Sequence, residues 1–459
     1  MTNYKTIIMV LACITMSFHA AHAQQPPLSL SDAWTLAAAN YPGINHKKAG
    51  IKAATYEQKI TRSSMLPQAK MQLQNTYGTF NGSSGAFFPQ PGFFNVSGNT
   101  DALSGAHVAA NTFGSVMADW NLYSFGRQRK NNEAAALQVA HAHSDMDAYL
   151  LELKSNVAAR YFNMLYTHAK LSWATKNSVR VKEILDLSVN LADAGLKPGA
   201  DTLLAASSYA QILSDEDHWT GKETASRYQL TEYIADSIAG NTLHNSAYLT
   251  PAGDIPAAAD SIRQHPYLEV IDTDIRYHQV HSEALGRAAY PSLSLLGGVA
   301  ERGTGIGKNG VVSNNWQDGF KNGAGNYLVG VGITWNLTGI YSTNLQKKVA
   351  LQQADAAKSQ YDQQALQLNT GLHATMARIT EQMQQVRKTQ TGVQKATEGY
   401  ELYLARYQSG LINLSELLQI QLLLQQAENT HIEACREFWE LMITNATLTG
   451  DFSYLSRRF

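Results

Sequence analysis

Residues 127–194 read RQRKNNEAAALQVAHAHSDMDAYLLELKSNVAARYFNMLYTHAKLSWATKNSVRVKEILDLSVNLADA, and the first glycine after them is Gly195. This stretch contains no proline. Apolar and small residues recur in steps of three or four, which predicts a coiled-coil helix, at Val139, Ala142, Met146, Leu150, Leu153, Val157, Tyr161 and Met164. At a rise of about 1.5 Å per residue, the helix would be about 100 Å long. A helix of this length indicates an elongated protein rather than a globular domain.

The composition of the chain argues against several classes of protein. It has 459 residues, of which 44% are hydrophobic and 16% charged, with a formal net charge of −1. A nucleic-acid partner usually requires a basic face, so the balanced charge argues against one. No run of about eighteen apolar residues follows the N-terminus, so no transmembrane helix is predicted.

The N-terminus has the parts of a secretory signal peptide. Lys5 precedes an apolar stretch at 7–18, and Ala21-His22-Ala23 supplies a small-x-small cleavage site. A lipoprotein-type site ending at Cys13 is the alternative, but only about six apolar residues precede it, fewer than usual. Cleavage after Ala23 is therefore predicted. The mature chain would keep only Cys435 and have no internal disulfide.

Helical and strand patterns alternate through the first half of the chain. Ser31 is the predicted N-cap of a helix that stops at 40–43, and a second helix is expected at about 44–65. Residues 81–105 are rich in Gly, Ser and Asn and predict a loop. Period-two alternation on either side of this loop predicts two strands, each with an apolar face. The apolar residues are Met71, Leu73 and Tyr77 before the loop, and Val108, Ala110, Val116, Ala118, Trp120 and Leu122 after it.

The same plan recurs in the second half. Four landmarks return in order, with Pro42 as Pro266, Pro67 as Pro291, Trp120 as Trp335 and Gly195 as Gly410. The offset is 224 residues for the prolines (266 − 42) and 215 for tryptophan (335 − 120), so the difference falls within the hairpin, most simply in its loop. Each copy therefore runs helix, strand, polar loop, strand, very long helix, glycine turn and helix. The predicted divisions are a signal peptide at 1–23, a first repeat at 24–214, a joining segment at 215–262, a second repeat at 263–450 and a tail at 451–459.

The predicted hairpins have one apolar and one polar face, which suits either a soluble core or a bilayer wall. Four strands cannot close a barrel alone, and open strand edges are not tolerated in lipid. Two chains would give eight strands, whose lumen fills with side chains, whereas three would give twelve strands and leave a passage. We therefore predict a homotrimer with its apolar strand faces toward lipid. A soluble sandwich with a helical stalk is the alternative.

These landmarks resemble the TolC-like outer-membrane channel proteins over essentially the whole mature chain. The order, spacing and duplication of the motifs carry the resemblance, and no single motif is diagnostic. The motifs are Leu28–Ala33 followed by Asn40-Tyr41-Pro42, Pro67 before the first strand, Trp120–Arg127, which is similar to the family's Trp-x-Leu-(aromatic)-x-x-Gly-Arg, and Tyr407–Leu411 with Glu416-Leu417-Leu418.

The resemblance implies a mixed α+β membrane protein with a long α-helical coiled-coil periplasmic barrel and four transmembrane β-strands per chain. As a trimer, it would complete a twelve-stranded outer-membrane β-barrel. Such proteins are the exit ducts of tripartite efflux pumps or type I secretion systems. The implied partners are a periplasmic adaptor protein and an inner-membrane pump of the resistance-nodulation-division or ABC type, and no cofactor is implied.

The second copy departs from the family pattern at two junctions. Thr338-Gly339-Ile340-Tyr341 lacks the Gly-Arg ending, so the passage from strand to helix is less well defined there. The opening helix is reduced to Asp260–Gln264 before His265-Pro266.

Two glycine turns are the candidate docking site. Gly195 and Gly410 follow the long helices, where a left-handed C-cap glycine needs no partner. Leu196 and Leu411 beside them would be exposed apolar residues at a helix tip, which is unusual unless something covers them. By the resemblance, the adaptor docks at these four residues.

Asp201 and Glu416 each lie six positions beyond one of these glycines. A favourable interaction with the helix dipole would alone explain a carboxylate there. By the resemblance, both line the periplasmic constriction, where three copies would form a ring of negative charge that favours cations. Pro198-Gly199 makes the turn before Asp201 the less regular of the two.

Other clusters predict no separate site. His278 and His281 lie three apart on a helix, but no carboxylate or cysteine set completes a metal site, and His141 and His143 lie on different helical faces. Solvated helix histidines are the simpler interpretation. The first loop contains a group that is either a surface recognition element or a loop cluster, namely Phe87, Phe88, Phe93 and Phe94.

The sequence has none of the common catalytic motifs, namely Gly-x-Ser-x-Gly, a phosphate loop, His-Glu-x-x-His or paired metal-binding cysteines. We therefore expect no enzyme activity, and we expect the energy source to lie in an inner-membrane partner. The leading prediction is a passive conduit from periplasm to exterior, located in the outer membrane. The alternatives are an outer-membrane barrel adhesin or enzyme and a soluble periplasmic helical adaptor.

Overall fold

The computed structural model describes residues 28–79, 104–235, 246–251 and 264–459. Three predictions lie outside these residues: the signal peptide at 1–23 with Cys13, the four phenylalanines of the first loop, and positions 260–263 of the short opening helix. In chain order the elements are α1 (Leu30–Asn40), α2 (Pro42–Ser63), β1 (Gln68–Thr79), β2 (Ser104–Gly105), β3 (Val108–Tyr123), α3 (Arg127–Asp193), α4 (Gly199–Ile234), α5 (Ser246–Leu249), α6 (Pro266–Arg287), β4 (Ser292–Thr304), β5 (Val311–Val312), a 3-10 helix (Trp316–Phe320), β6 (Ala324–Thr334), α7 (Gly339–Gln408), α8 (Leu414–Thr449) and α9 (Ser453–Arg458).

The chain divides into two compact units that cut across the repeat. Unit one comprises Met1–Gly50, Ala142–Ile271 and Ser359–Phe459, and unit two comprises Ile51–His141 and Asp272–Lys358. Each unit therefore takes residues from both copies of the repeat. Unit one is helical where it is described, and unit two contains the β-strands.

The two long helices confirm the main prediction from the sequence. Helix α3 has 67 residues and α7 has 70. The apolar seam of α3 is buried in unit one at Leu153, Val157, Tyr161 and Met164. None of the helices in the described part of the chain is both long and apolar enough to cross a bilayer.

Helix starts differ in detail from the sequence prediction. The N-cap of α1 is Ser29 rather than Ser31, because the Ser29 hydroxyl accepts a hydrogen bond from the backbone N–H of Asp32. Helix α2 begins at Pro42 rather than near residue 44, in keeping with the preference for proline in the first turn of a helix. Helix α4 continues to Ile234, through the position at which the sequence division ends the first repeat.

Unit two is built on a four-stranded antiparallel sheet in the order β1-β3-β4-β6. Both predicted hairpins are present, and β3 pairs with β4 to join the two copies. One row of partners runs across all four strands, through Met71, Val116, Val299 and Tyr327. Because paired residues share a face, the apolar sides of the four strands form one continuous face. Met71 is 78% exposed and Tyr327 84% exposed, so this row of the face is uncovered within the chain.

The repeat is visible in individual hydrogen bonds of unit two. The indole of Trp120 donates to the carbonyl of Met65 over 2.9 Å, and the indole of Trp335 donates to that of Ala289 over 3.0 Å. The tryptophans differ by 215 positions and the carbonyls by 224 (289 − 65), which are the offsets seen in the sequence. The same indole therefore closes the same junction in each copy.

The loop of the second copy is more ordered than its composition suggests. The sequence predicts loop over 302–325, but β4 continues to Thr304 and β6 begins at Ala324. Within the loop, β5 pairs in parallel with β2, so residues 104 and 105 of the first predicted loop are also in a strand. The 3-10 helix Trp316–Phe320 follows β5.

The core of unit one gathers aromatic side chains from distant parts of the chain. Trp439 is fully buried, with the ring of Phe162 stacked on it at 5.2 Å and the ring of Phe459 against it at 5.0 Å. The segment predicted as a C-terminal tail forms α9, and Leu455 on it is buried. The carbonyl of Phe459 also accepts a hydrogen bond from the N–H of Leu30, which ties this segment to α1.

Candidate functional site

The two glycine turns have the same backbone geometry. Gly195 has φ +70° and Gly410 has φ +75°, a region that L-residues adopt at a cost. At each turn, the glycine N–H donates three residues back and the leucine N–H donates five residues back, to Leu191 in the first turn and Arg406 in the second. This pair of bonds defines the Schellman motif, which satisfies carbonyls left free at a helix end.

The leucines after these glycines are exposed. Leu196 is 69% exposed and Leu411 is 70% exposed. A methyl group added at either glycine would meet nothing within 4 Å, so the glycines serve the turn conformation and not a close approach. The structure thus supports the C-cap interpretation, and it also leaves two large apolar side chains in the open.

A lysine that the sequence reasoning missed connects the two turns. The ammonium of Lys197 donates to the carbonyl of Ile412 over 3.0 Å and lies 5.4 Å from the ring centre of Tyr407. The first turn therefore supplies a cation to the second within one chain. Lys197 stands directly beside Leu196 and before Pro198, but no periodicity or motif marks it as a bridging residue.

Glu416 is held by the cap of its own helix. Asn413 is the N-cap of α8, and its side-chain oxygen accepts from the N–H of Glu416 over 2.8 Å. The Asn413 amide in turn donates to the Glu416 carboxylate over 2.9 Å. This reciprocal arrangement resembles a capping box and fixes the carboxylate in the first turn, where the helix dipole favours negative charge. The Glu416 side chain remains exposed.

Asp201 lies in the first turn of α4, where the N-cap is Pro198 and no side chain caps the helix. Its N–H donates to the Pro198 carbonyl over 3.0 Å. The side chain of Tyr407 is fully buried, and burial raises the pKa of its hydroxyl. The negative charge of Asp201 raises this pKa further. The structure thus brings Asp201 to the buried end of α7, whereas Glu416 is engaged with Asn413.

A groove lies close to the turns in unit one. It has a volume of about 530 Å³ and is lined by both polar and apolar side chains of α4 and α8, including Leu204, Gln211, Leu418 and Leu422. Leu422 is half exposed, and Leu203 on α4 is 75% exposed. Exposed apolar side chains beside a groove between helices suit an amphipathic helical partner.

The half-buried His278 and His281 contact residues of their own helix. His278 lies 3.6 Å from Asp274, one turn earlier on α6, and the ring of His281 stacks on Tyr277 at 5.6 Å. Over 28–79, 104–235, 246–251 and 264–459, no group of three or more His, Cys, Asp or Glu side chains could hold a metal ion.

The family described as outer membrane efflux protein matches residues 34–235 and 266–438. The chain belongs to this family. The two matched segments follow the two copies of the repeat, and outer membrane efflux proteins are channels rather than an enzyme family. A comparison with curated protein sequences finds no significant match.

Solved outer-membrane channels share the fold of this efflux family member. The CmeC outer membrane channel of Campylobacter jejuni is 15% identical, with a TM-score of 0.72 over 94% of this chain and 90% of that chain. The MtrE outer membrane channel of Neisseria gonorrhoeae, in its open state, is 17% identical, with a TM-score of 0.69 over 92% and 89%. VceC of Vibrio cholerae is 14% identical, with a TM-score of 0.70 over 92% and 97%.

Proposed function

We propose that this chain is the outer-membrane channel subunit of a tripartite efflux or type I secretion system, a passive conduit from periplasm to exterior. The four-stranded sheet is the observation that carries the proposal. Within the described residues, β1 and β6 pair on one side only, and the apolar face of the sheet is exposed. Open edges and an apolar face both require burial. Three copies joined edge to edge, β6 to β1, bury the edges in a twelve-stranded barrel whose apolar face meets lipid.

A pair of arginine substitutions on one strand tests this arrangement. Val329 and Asn326 both lie on β6, but Val329 pairs with Gly297 on the apolar face and Asn326 with Ala300 on the other face. An arginine facing lipid near mid-bilayer costs roughly 2–4 kcal/mol, whereas one facing the lumen costs little. Val329→Arg should therefore abolish trimers in the outer-membrane fraction on unheated gels, while Asn326→Arg should leave them intact. Equal trimer yields, or the reverse order, would contradict a lipid-facing apolar side.

We place the adaptor contact at Gly195, Leu196, Gly410 and Leu411. The two leucines are exposed within the chain, and the adjoining groove between α4 and α8 offers further apolar surface. A photoreactive crosslinker on Leu411→Cys should capture a periplasmic adaptor in intact cells. The matched control is Leu366→Cys on α7, because Leu366 is 68% exposed but lies far along the chain from both turns. Equal capture at both positions, or none at Leu411→Cys, would remove the turns from the docking site.

We place the constriction at Glu416, with Asp201 as a second contributor. Asn413 holds the Glu416 carboxylate at the exposed start of α8, where three copies around an axis would form an anionic ring. The channel needs no catalytic group for passive export. Energy would come from an inner-membrane pump of the resistance-nodulation-division or ABC type, reached through the adaptor.

A further inference from the structure

The loop between β4 and β6 presents two aromatic rings on a rigid support. The Asn315 side chain accepts from the N–H of Gln317 over 3.2 Å and so caps the 3-10 helix. Asp318 on this helix accepts from the Ser313 hydroxyl over 2.6 Å and pairs with the Lys321 ammonium at 2.7 Å. These contacts hold the helix at both ends.

Trp316 and Phe320 begin and end this helix, and both rings are uncovered. Trp316 is 58% exposed and Phe320 is 59% exposed, and their rings contact each other edge to face with centres 6.2 Å apart. A loop that fixes two large apolar side chains without covering them offers a surface for an apolar or amphipathic partner.

Close backbone contacts show which face of the sheet the loop covers. A Cβ on Gly319 would lie 2.9 Å from the Cβ of Ala110, and a Cβ on Gly303 would lie 2.4 Å from the Gly319 carbonyl. Ala110, Thr112 and Val116 are an even number of residues apart on β3, so all three lie on its apolar face. Gly303 pairs with Thr112 and therefore lies on the same face. The 3-10 helix therefore lies on the apolar face, at the strand ends farthest along the chain from α2 and α6.

The apolar band ends just before this helix. After the row that contains Val299, the next row on the same face is Leu73, Gly114, Glu301 and Gly325, in which Glu301 introduces a charge. At the other end of the face, Trp120 is 39% exposed, and Trp335 just beyond β6 is 54% exposed. Toward the loop end, the strands place two tyrosines on this face, Tyr77 on β1 and Tyr327 on β6. The loop adds an indole and a phenyl ring to these two tyrosines.

We propose that Trp316 and Phe320 form a membrane-interface anchor that lies at the headgroup level of the outer leaflet. This inference rests on the proposed function, because it requires the apolar face to meet lipid. Aromatic residues concentrate at both interfaces of membrane barrels, where one side of the ring is apolar and the other is hydrated. The continuity of the loop with the apolar face makes lipid the occupant.

Site-specific fluorescence can test the anchor with three single-cysteine positions. Phe320→Cys probes the anchor, Val329→Cys the apolar band, and Lys308→Cys the exposed tip of the same loop, each labelled with an environment-sensitive fluorophore. Native Cys435 stays in place, because it is buried and burial raises the pKa of its thiol to about 12, and the wild-type chain sets the background. The trimers are placed in phosphatidylethanolamine–phosphatidylglycerol vesicles and quenched with aqueous iodide or with lipids that carry a nitroxide near the headgroup or near the chain end.

The expected pattern separates the three positions. Position 329 should be quenched by lipid nitroxides and protected from iodide, and position 308 should show the opposite. Position 320 should be quenched most strongly by the nitroxide near the headgroup. The intrinsic emission of wild type minus that of Trp316→Phe should show the same depth with Phe320 in place.

Three outcomes would overturn the proposal in different ways. If position 320 and Trp316 behave like position 308 while 329 stays in lipid, the anchor is wrong and the channel proposal stands. If position 329 is also open to iodide, the apolar face does not meet lipid and the proposed function fails with the anchor. Protection of position 320 from both quenchers would mean that a second chain covers it, and it would also overturn the lipid assignment.

Discussion

Replacing Glu433 by glutamine should destabilise unit one more than removing the lysine that Glu433 contacts. The Lys170 side chain is 3% exposed, and its ammonium lies 2.6 Å from a Glu433 carboxylate oxygen. The rings of Tyr166, Trp173 and Trp219 surround the ammonium, with centres 5.5, 5.4 and 5.1 Å away. The Tyr166 hydroxyl donates to the same carboxylate oxygen over 2.7 Å. The ammonium also donates to the side-chain oxygen of Asn429. A buried cation thus depends on one partly exposed carboxylate, one amide oxygen and three aromatic faces.

The magnitude follows from what each variant leaves behind. Removing one partner of a fully buried pair costs roughly 3–5 kcal/mol. The Glu433 side chain is 44% exposed, a glutamine oxygen can still accept a hydrogen bond, and the rings still stabilise the cation. We therefore expect Glu433→Gln to cost about 1–2 kcal/mol. Lys170→Met removes the ammonium that burial penalises and puts a thioether among the rings, so it should stay within about 1 kcal/mol of wild type.

The pH dependence gives an independent check of the same pair. Burial raises the pKa of Glu433, but hydrogen bonds from Lys170 and Tyr166 and nearby positive charges together hold it below its ordinary value of 4.5. The stability that Glu433 contributes is therefore present above pH 4.5 and is lost as pH falls through the folded pKa, so the cost of Glu433→Gln should shrink in acid. Burial lowers the pKa of Lys170 from 10.5. Wild-type stability should gain from Lys170 as pH rises from the folded pKa to 10.5, and Lys170→Met should lack that gain.

Denaturant unfolding followed by tryptophan fluorescence, at one fixed chain concentration, measures these differences. The double variant Lys170→Met/Glu433→Gln should have the same free energy of unfolding as Lys170→Met alone, because it contains no buried ammonium for residue 433 to stabilise. If Lys170→Met is the least stable of the three variants, the buried ammonium is not what makes Glu433→Gln costly. Simple addition of the two single costs in the double variant would also contradict the pairing, because residues in one pair should couple.

Three further predictions follow from the turns and the core. Glu416→Gln should keep the Asn413 contact but raise single-channel conductance or reduce cation selectivity in planar bilayers, and unchanged values would remove Glu416 from the constriction. Gly410→Ala should lower the free energy of unfolding by about 1–2 kcal/mol, because alanine adopts the left-handed conformation at that cost. Gly392→Ala inside α7 should raise the free energy of unfolding by roughly 0.5–1 kcal/mol, because alanine is the better helix former. Changes of the same sign in the two variants would argue against the turn geometry. Cys435 should react with thiol reagents only as fast as unit one opens, because it is buried and burial raises its pKa to about 12, and rapid labelling of the folded chain would contradict this.

Long periodic elements could be predicted from the sequence because many residues specify them together. The first long helix ends at Asp193, one residue before the predicted limit. No proline interrupts the helix, and the glycine turn that follows sets its end. Period-two alternation predicts the strands, and duplication supports these assignments because each strand and each long helix has a counterpart at a known offset. The Schellman turns were also within reach, because few residues other than glycine adopt φ near +70°.

Contacts between distant residues were not accessible in the same way. The pairing of β3 with β4 joins the two copies, yet alternation within a strand does not name its partner. Ser29 rather than Ser31 caps α1, because two serines two positions apart compete for one role and backbone geometry decides between them. Lys197 gave no signal, because a single lysine beside a turn looks like any solvated charge until the opposite turn is placed next to it.

The duplicated turns have the same shape but different chemistry, and this difference bears on what docks there. The first turn contributes the Lys197 cation, and its following helix has a proline N-cap without a side-chain hydrogen bond. The second contributes the Ile412 carbonyl, and its following helix is capped by Asn413 with Glu416 bound to the cap. In the proposed trimer, six turns would therefore form two alternating sets of three. Identical adaptor subunits that contacted every turn would meet two different surfaces, so the axis at this end is threefold and a sixfold docking ring could only be approximate.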